Sequence, residues 1–348
     1  PSRVGSTSHR SFSHANAGSG PVAPNAPRPR HGCMISDVVP IDTRRGPALR
    51  PGDRVRLVSP SSPPSTTWLA ESIEILSGWG LRVEVGRHVL DESGYMAGRD
   101  EDRLADLNDA FRDPGVRAVI ATRGGAGAYR IADGIDVDAV RADPKPVLGF
   151  SDITNIHLAV WARAGLATIH GCLAGPTARA DARHLLMGTQ PLVVPRNPAA
   201  LSAAVEVPGR ASGTLVGGNL RELAGWVGAA VADLSGTIVL IEDRRHVGLG
   251  QVDRNLTQLI RSGLLVGARG IVVGSFEGFA GYLDGGWTVL DVLQERLGSL
   301  GVPVLGGLDV GHDVVGPDGS PDQHAVVLGA PATLDTGAGT LTVGPCVR

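Results

Sequence analysis

Short apolar runs alternate with amphipathic stretches over most of the chain after residue 53. The apolar run at 55–58 and the alternating run at 81–85 predict two strands. Between them, Leu69, Ile73 and Leu76 lie at helical spacing. Strands that alternate with helices in this way predict a parallel sheet with helices on both faces.

The same pattern continues to the end of the chain. It predicts further elements in this order: a helix around Leu104–Phe111, a strand at 116–122, a short helix from Ala128, a strand at 146–150, a helix at 153–163, a strand at 214–216, a helix from Asn219, a strand at 237–241, a helix at 256–264, a strand at 270–274, a helix from Thr288 and a strand at 303–305. The proline-containing stretch at 176–208 predicts irregular structure, and the Gly-rich end from His324 predicts a hairpin.

These patterns divide the chain into four parts. Residues 1–50 are predicted to be a disordered or extension tail, because their first part is mostly Ser, Ala, Pro, Gly, Asn and His. Such a segment is either an upstream extension or, less favoured, a basic docking tail. We expect an N-terminal α/β domain at 51–180, a linker or substrate-facing loop at 181–210, and a C-terminal domain at 211–348.

Composition excludes several classes of protein. The net charge of -3 gives no reason to expect nucleic-acid binding. Cys33, Cys172 and Cys346 have no CxxC spacing, so we expect neither a disulfide framework nor a structural metal site. No apolar run is long enough for a membrane span, and no signal peptide is visible. We therefore expect a cytoplasmic protein.

A glycine-rich turn, Arg123 to Gly127, follows the predicted strand at 116–122. Its glycines allow backbone N–H groups to face an anion, but neither phosphate-loop pattern is present. An ordinary tight turn explains the same residues equally well.

Ser151 follows the strand at 146–150 and precedes a helix. A serine at such a turn is exposed on a nucleophile elbow, although Ile153 replaces the usual final glycine of that motif. The alternative is that Ser151 or Asp152 caps the following helix.

Glu242 and His312 each follow a predicted strand of the second half. Open α/β sheets place ligands at the carboxyl ends of their strands. Ser151, Glu242 and His312 stand in one of the known chain orders of a catalytic triad. In a triad the serine attacks a carbonyl, the histidine takes its proton and the carboxylate orients the imidazole.

An ordered set of landmarks resembles the LD-carboxypeptidase family of serine peptidases, which includes microcin-immunity-type hydrolases. The landmarks are Gly94–Gly98, Arg103–Asn108, Ala121–Gly125, Pro144–Thr154, His170–Gly171, Gly217–Leu220, Leu240–Asp243, Val252–Arg254 and Gly311–His312. They extend over roughly residues 52–342, and the order of the set makes the resemblance specific.

The resemblance implies a catalytic triad of Ser151, Glu242 and His312, and an oxyanion hole made by the backbone N–H groups of Gly125 and Asp152. It implies an α/β fold with an N-terminal parallel-sheet, Rossmann-like domain that carries a nucleophile elbow. A C-terminal mixed α/β domain with barrel-like β structure is expected to carry the acid and base. Members of the family are usually homodimers and need no metal or organic cofactor. The usual substrate is a murein tetrapeptide, from which they release D-alanine during cell-wall recycling.

Two residues depart from the family pattern. Ala126 stands where an aromatic is usual, and Cys172 stands where proline follows His-Gly. Both are candidate substrate-binding residues, with Arg123 and Gly124. Arg123 is a candidate anchor for the substrate carboxylate, or else forms an ion pair across the turn. Cys172 is disfavoured as a nucleophile because it lacks the elbow context.

Three other functions compete with the carboxypeptidase assignment. A microcin-immunity-type hydrolase would cleave an aminoacyl or peptidyl nucleotide. A biosynthetic acyltransferase or ligase would pass the acyl group to an amine instead of water. A catalytically silent binding protein is the least favoured, because all three triad positions are filled.

Overall fold

A computed structural model describes residues 42–229, 233–312, 314–316 and 319–348. The helices are α1 Thr66–Gly78, α2 Asp100–Arg112, α3 Ala128–Ile131, α4 Val137–Ala142, α5 Thr154–Ala164, α6 Pro176–Met187, α7 Leu220–Gly225, α8 Leu249–Ser262 and α9 Val289–Gly298. The strands are β1 Arg54–Val58, β2 Arg82–Val85, β3 Val116–Ala121, β4 Val147–Gly149, β5 Thr168–His170, β6 Leu192–Pro195, β7 Glu206–Val207, β8 Arg210–Asn219, β9 Thr237–Arg244, β10 Gly270–Glu277, β11 Val304–Leu305, β12 Val326–Leu328, β13 Pro331–Asp335 and β14 Thr340–Val343.

The first sheet has six strands in the order β12-β5-β4-β3-β1-β2. Its five strands from the first half of the chain are parallel, and β12 is added antiparallel to β5. The predicted parallel sheet is therefore confirmed. The order of a doubly wound sheet brings the carboxyl ends of β3 and β4 side by side, so the turns that follow them are neighbours.

The second sheet has eight strands in the order β6-β14-β13-β8-β9-β10-β11-β7. Parallel pairing of β8 to β11 is combined with antiparallel pairing at both sides. An antiparallel bridge joins Arg196, next to β6, to Leu308, beyond β11. The sheet therefore curls back towards itself, which confirms the predicted mixed, barrel-like structure.

The two sheets share a hydrophobic core. Ile156 and Val160 on α5 belong to the same buried cluster as Val216 of β8 and Leu220 of α7. The helix that follows Ser151 is thus packed directly against the first elements of the second half. This packing places the ends of β4, β8 and β9 at one junction.

The prolines at 176–208 predicted irregular structure, but most of this segment is regular. It contains α6, β6, a 3₁₀ turn at Leu201–Ala204 and β7. Pro176 occupies the first turn of α6, where proline removes no helical hydrogen bond. Ala178, Ala182 and Leu185 form the buried face of that helix.

The structure describes only the last residues of the predicted tail. Its residues 1–41 lie outside the described residues. Residues 42–50 pack against the folded chain: Arg44 forms a bridge with Leu166, and Gly46 forms one with Val347. Leu49 is 3% exposed, and its N–H donates to Leu186 O. For residues 42–50 the structure corrects the expectation of a tail.

None of the helices in the described parts of the chain combines the length and apolar character that crossing a bilayer requires.

Leu49→Ala is expected to lower the free energy of unfolding by about 2–5 kcal/mol, because it removes a buried side chain from an otherwise filled site. Leu90→Ala is the matched control, since Leu90 is 47% exposed, and it should change stability by less than about 0.5 kcal/mol. Urea unfolding of both variants measures the difference. Equal midpoints would show that residues 42–50 do not contribute to the core.

Candidate active site

Ser151 lies at a strained turn between β4 and α5. Its φ of 66° is the one positive φ of a non-glycine residue among the described residues. A 3₁₀ turn at Ser151–Ile153 leads directly into α5. Neither helix start has a side-chain cap bond, so Ser151 and Asp152 are not the helix caps of the alternative interpretation. A serine in the left-handed backbone conformation costs about 1–2 kcal/mol of free energy, and residues with such strain are concentrated at functional sites.

The hydroxyl of Ser151 faces an imidazole from the other half of the chain. Ser151 Oγ lies 3.0 Å from His312 Nε2, and His312 Nδ1 lies 2.6 Å from Glu242 Oε2. A carboxylate only accepts hydrogen bonds, so Nδ1 carries the proton of the neutral ring. Nε2 is then free to accept the proton of Ser151. The structure thus brings together the three residues that the sequence singled out.

Burial and charge oppose each other in the Glu242–His312 pair. Burial alone would lower the pKa of His312, but the charge and hydrogen bond of Glu242 outweigh it, so the pKa is raised above its ordinary value. Burial alone would raise the pKa of Glu242, and His312 instead lowers it. Each group therefore favours the charged form of the other. An imidazolium formed at His312 is stabilised by the fully buried carboxylate.

Asn219 supports this pair, although no role was predicted for it. Its amide nitrogen lies 3.3 Å from Glu242 Oε1, and its side-chain oxygen caps α7. Its backbone N–H donates to Thr154 Oγ1, at the start of α5. The same amide nitrogen is 3.4 Å from Asp243 Oδ1, whose pKa is raised to about 6 by burial and by the charge of Glu242. The available signals were an Asn at the predicted start of a helix and its place in the landmark Gly217–Leu220.

The Asp152 carboxylate holds the turn that carries Ser151. It accepts hydrogen bonds from Ser61 Oγ at 2.6 Å, from Ala128 N at 2.8 Å and from Asn155 Nδ2 at 3.2 Å. Burial raises the pKa of Asp152 despite these donors. The side chain therefore ties the serine turn to the loop after β1 and to the glycine-rich turn after β3.

The glycine-rich turn packs directly on Ser151. A Cβ added to Gly124 would lie 2.7 Å from Ser151 Cβ and 2.8 Å from Phe150 O. Only glycine allows this close approach. Gly125 follows with a φ of 118°. The turn thus packs closely against the serine, and the oxyanion hole of Gly125 and Asp152 stays a prediction.

A cavity of about 310 Å³ opens beside Ser151 and His312. The predicted substrate-binding residues Arg123, Gly124 and Cys172 line it. Ala126 is not among the lining residues, and its N–H donates to Ser62 Oγ at 3.3 Å. Three of the four predicted residues therefore border the space in front of the serine.

Two of these lining residues had alternative interpretations. Arg123 is exposed, and its closest polar contact is Pro63 O at 3.5 Å. It has no ion pair within the described parts of the chain. Burial raises the pKa of the Cys172 thiol, and its sulfur accepts a hydrogen bond from Gln323 Nε2 at 3.2 Å. A protonated, hydrogen-bonded thiol is a poor nucleophile.

Sequence reasoning missed Arg221, Arg244 and His246, which line the same cavity. The only indication of these three residues in the sequence was that they lie close to Asn219 and Glu242. Ligand atoms that could share a metal ion belong to His88, Asp91 and Asp102, which do not line the cavity. Arg99 already pairs with Asp102 at 2.8 Å.

Two sequence models of known domains match the chain. Residues 55–171 match the N-terminal domain of LD-carboxypeptidases, and residues 212–334 match their C-terminal domain. Together these ranges include Ser151, Glu242 and His312.

Individual relatives match over most of the chain. A putative carboxypeptidase of Streptomyces coelicolor is 39% identical over 85% of this chain and 94% of its own length. A probable murein peptide carboxypeptidase of Bacillus subtilis is 36% identical over 85% of this chain and 93% of its own. The crystal structure of an MccF-like protein of Bacillus anthracis superposes with a TM-score of 0.75 at 22% identity. It covers 86% of this chain and 99% of that one.

Ser151→Gly should be more stable than Ser151→Ala by about 1 kcal/mol. Both variants lose the hydroxyl, but only glycine adopts the left-handed conformation without steric cost. Glycine's greater freedom in the unfolded chain offsets part of the gain. Denaturant midpoints of the two variants test this, and a less stable glycine variant would show that Ser151 is not strained.

Proposed function

The chain belongs to the LD-carboxypeptidase family, and we propose from this premise that it is a serine carboxypeptidase that releases D-alanine from murein tetrapeptides. The scissile bond joins the L-centre of a diamino acid to the terminal D-residue. The observation that carries the proposal is the continuous hydrogen-bonded chain from Ser151 through His312 to Glu242. The proposal includes a role in cell-wall recycling, a cytoplasmic location and a homodimer.

In the first step the Ser151 Oγ bonds to the scissile carbonyl carbon while its proton moves to His312 Nε2. Glu242 keeps Nδ1 protonated and offsets the charge of the imidazolium. The carbonyl oxygen becomes an oxyanion, for which the backbone N–H groups of Gly125 and Asp152 are the proposed donors. His312 then gives its proton to the nitrogen of D-alanine, and the C–N bond breaks.

The second step returns the enzyme to its starting state. Water replaces the amine and loses a proton to His312, and its oxygen bonds to the acyl carbon. The bond to Ser151 breaks, and the serine recovers its proton from His312. We assign the anchoring of the terminal carboxylate to Arg123, which borders the cavity on the side of the first sheet.

A hydrolase of the microcin-immunity type is the second candidate. The MccF-like structure from Bacillus anthracis shares the fold. Assay with an aminoacyl-adenylate analogue separates this candidate from a carboxypeptidase.

The rate should depend on the protonation of His312. Only the neutral imidazole accepts the serine proton, so kcat/KM should fall as the pH drops through the raised pKa of His312. The midpoint of this acid limb should therefore lie above the ordinary histidine value of about 6.5. Glu277 adds to the rise and Arg244 opposes it.

Glu242→Gln removes the negative charge, so burial then dominates and the acid limb should move to lower pH. The plateau rate should fall on the order of 10³- to 10⁴-fold, because the glutamine amide can also donate to Nδ1 and so no longer fixes the tautomer in which Nε2 accepts the serine proton. Asp243→Asn is the control and should leave the limb in place. A limb that does not move in Glu242→Gln would contradict the assigned pairing.

The enzyme should release D-alanine from the tetrapeptide and should act on the L-alanine epimer at least about 100-fold more slowly. With the carboxylate anchored, inversion of the last α-carbon moves the scissile carbonyl out of line with Ser151, and about 1 Å of misplacement costs this much. Mass spectrometry of paired peptides measures both products.

Ser151→Ala is the control for this assay and should lose on the order of 10⁴- to 10⁶-fold in rate. Equal rates for the two epimers would remove the LD specificity but leave a serine hydrolase. Release that depends on an added amine would indicate an acyltransferase.

A further inference from the structure

One wall of the cavity is formed by basic residues from the second half of the chain. Arg221 lies in the first turn of α7, directly after β8. Arg244 ends β9, and His246 follows it. We call these three residues the basic wall. They border the same space as Ser151 and His312.

The basic wall is not neutralised from within the cavity. None of the described residues that line this cavity is an aspartate or a glutamate, whereas Arg123, Arg221 and Arg244 are all present. The whole chain carries a net charge of -3. Positive charge is therefore concentrated here against the sign of the molecule, and a concave site with such a charge attracts anions.

The side chain of Arg221 donates no hydrogen bond to any other residue that the structure describes. Its side chain is 45% exposed, and its ion-pair partner Glu222 is no closer than 3.6 Å. The other carboxylate oxygen of Glu222 accepts a hydrogen bond from Asn155 Nδ2 at 2.8 Å. Arg244, in contrast, already pairs with Glu277 at 3.2 Å. Arg221 is thus the residue of the wall that is best able to bind a ligand carboxylate in a two-pronged manner.

The members of the wall lie within electrostatic range of one another and of the catalytic base. The pKa of His246 is lowered first by burial and then by the charges of Arg221 and Arg244. Arg244 also acts to lower the pKa of His312. An anion bound at the wall would therefore relieve repulsion that the unliganded site contains.

We propose that the basic wall binds a second carboxylate of the substrate, on the acyl side of the scissile bond, with Arg221 as its main ligand. This inference rests on the proposed function, in which Arg123 takes the terminal carboxylate from the opposite side of the cavity. Murein peptides carry such a group as the free α-carboxylate of their D-glutamyl residue. The site thereby selects free-acid peptides over their amidated forms.

The test uses two tetrapeptides that differ only at the second residue, which is D-glutamate in one and D-isoglutamine in the other. The wild-type enzyme should cleave the free acid with a kcat/KM about 10- to 100-fold higher, as expected for a charge-assisted hydrogen bond. Arg221→Gln should reduce this ratio towards one, mainly by slowing the free acid. Arg221→Lys should keep part of the ratio of the two kcat/KM values, since lysine retains the positive charge but not the paired N–H donors of the guanidinium.

Arg210→Gln is the matched control. Arg210 is exposed at 74%, has a partner only at 3.8 Å and does not line the cavity. This variant should retain the wild-type ratio.

Binding to Ser151→Ala, measured by calorimetry, separates failure of this inference from failure of the proposed function. Equal cleavage and equal binding of the two peptides overturn the inference but leave the carboxypeptidase assignment. If Arg221→Gln still discriminates between the two peptides, the role of the basic wall is overturned. If Ser151→Ala binds the free-acid peptide more tightly but the wild-type enzyme cleaves neither peptide, the role of the basic wall is supported and the proposed reaction is overturned. If neither peptide is bound nor cleaved, both are overturned.

Discussion

The buried carboxylate of Glu242 is the constraint on which the arrangement of the site depends. An isolated charge in a protein interior is strongly unfavourable, so its partners must be held in place by the fold. Those partners come from separate segments: Asn219 ends β8, and His312 lies beyond β11. Asn219 in turn contacts Thr154 at the start of α5. Satisfying one carboxylate thus fixes the relation between the serine turn, the strand ends and the loop that carries His312.

Much of the fold could be predicted because its strands and helices follow the hydrophobic pattern. β3 at Val116–Ala121 and β9 at Thr237–Arg244 begin at the predicted residues. β5 was missed because three residues are too few for a periodic signal. α6 was missed because proline was taken as a breaker when it stood at a helix start.

The residues of the site likewise divide into those that the sequence could predict and those that it could not. Ser151 and Glu242 could be proposed because each directly follows a predicted strand, and His312 because it lies a short way beyond one and completes the chain order of a triad. The hydrogen bonds of Asn219 and Asp152 could not be predicted, because they join segments that only tertiary packing brings together. Arg221 and His246 carry no motif of their own. Their importance follows from which cavity they border, and a cavity has no counterpart in a linear sequence.

The position of β12 has a consequence for the order in which the protein is made. This strand, Val326–Leu328, completes the edge of the sheet whose other strands lie before residue 171. During synthesis, β5 therefore has one open edge until residues 326–328 have left the ribosome. His312, on the preceding segment, also emerges at this late stage. A partly made chain thus holds the serine turn without His312, and the contact between Ser151 and His312 forms at about the same stage as closure of the sheet edge.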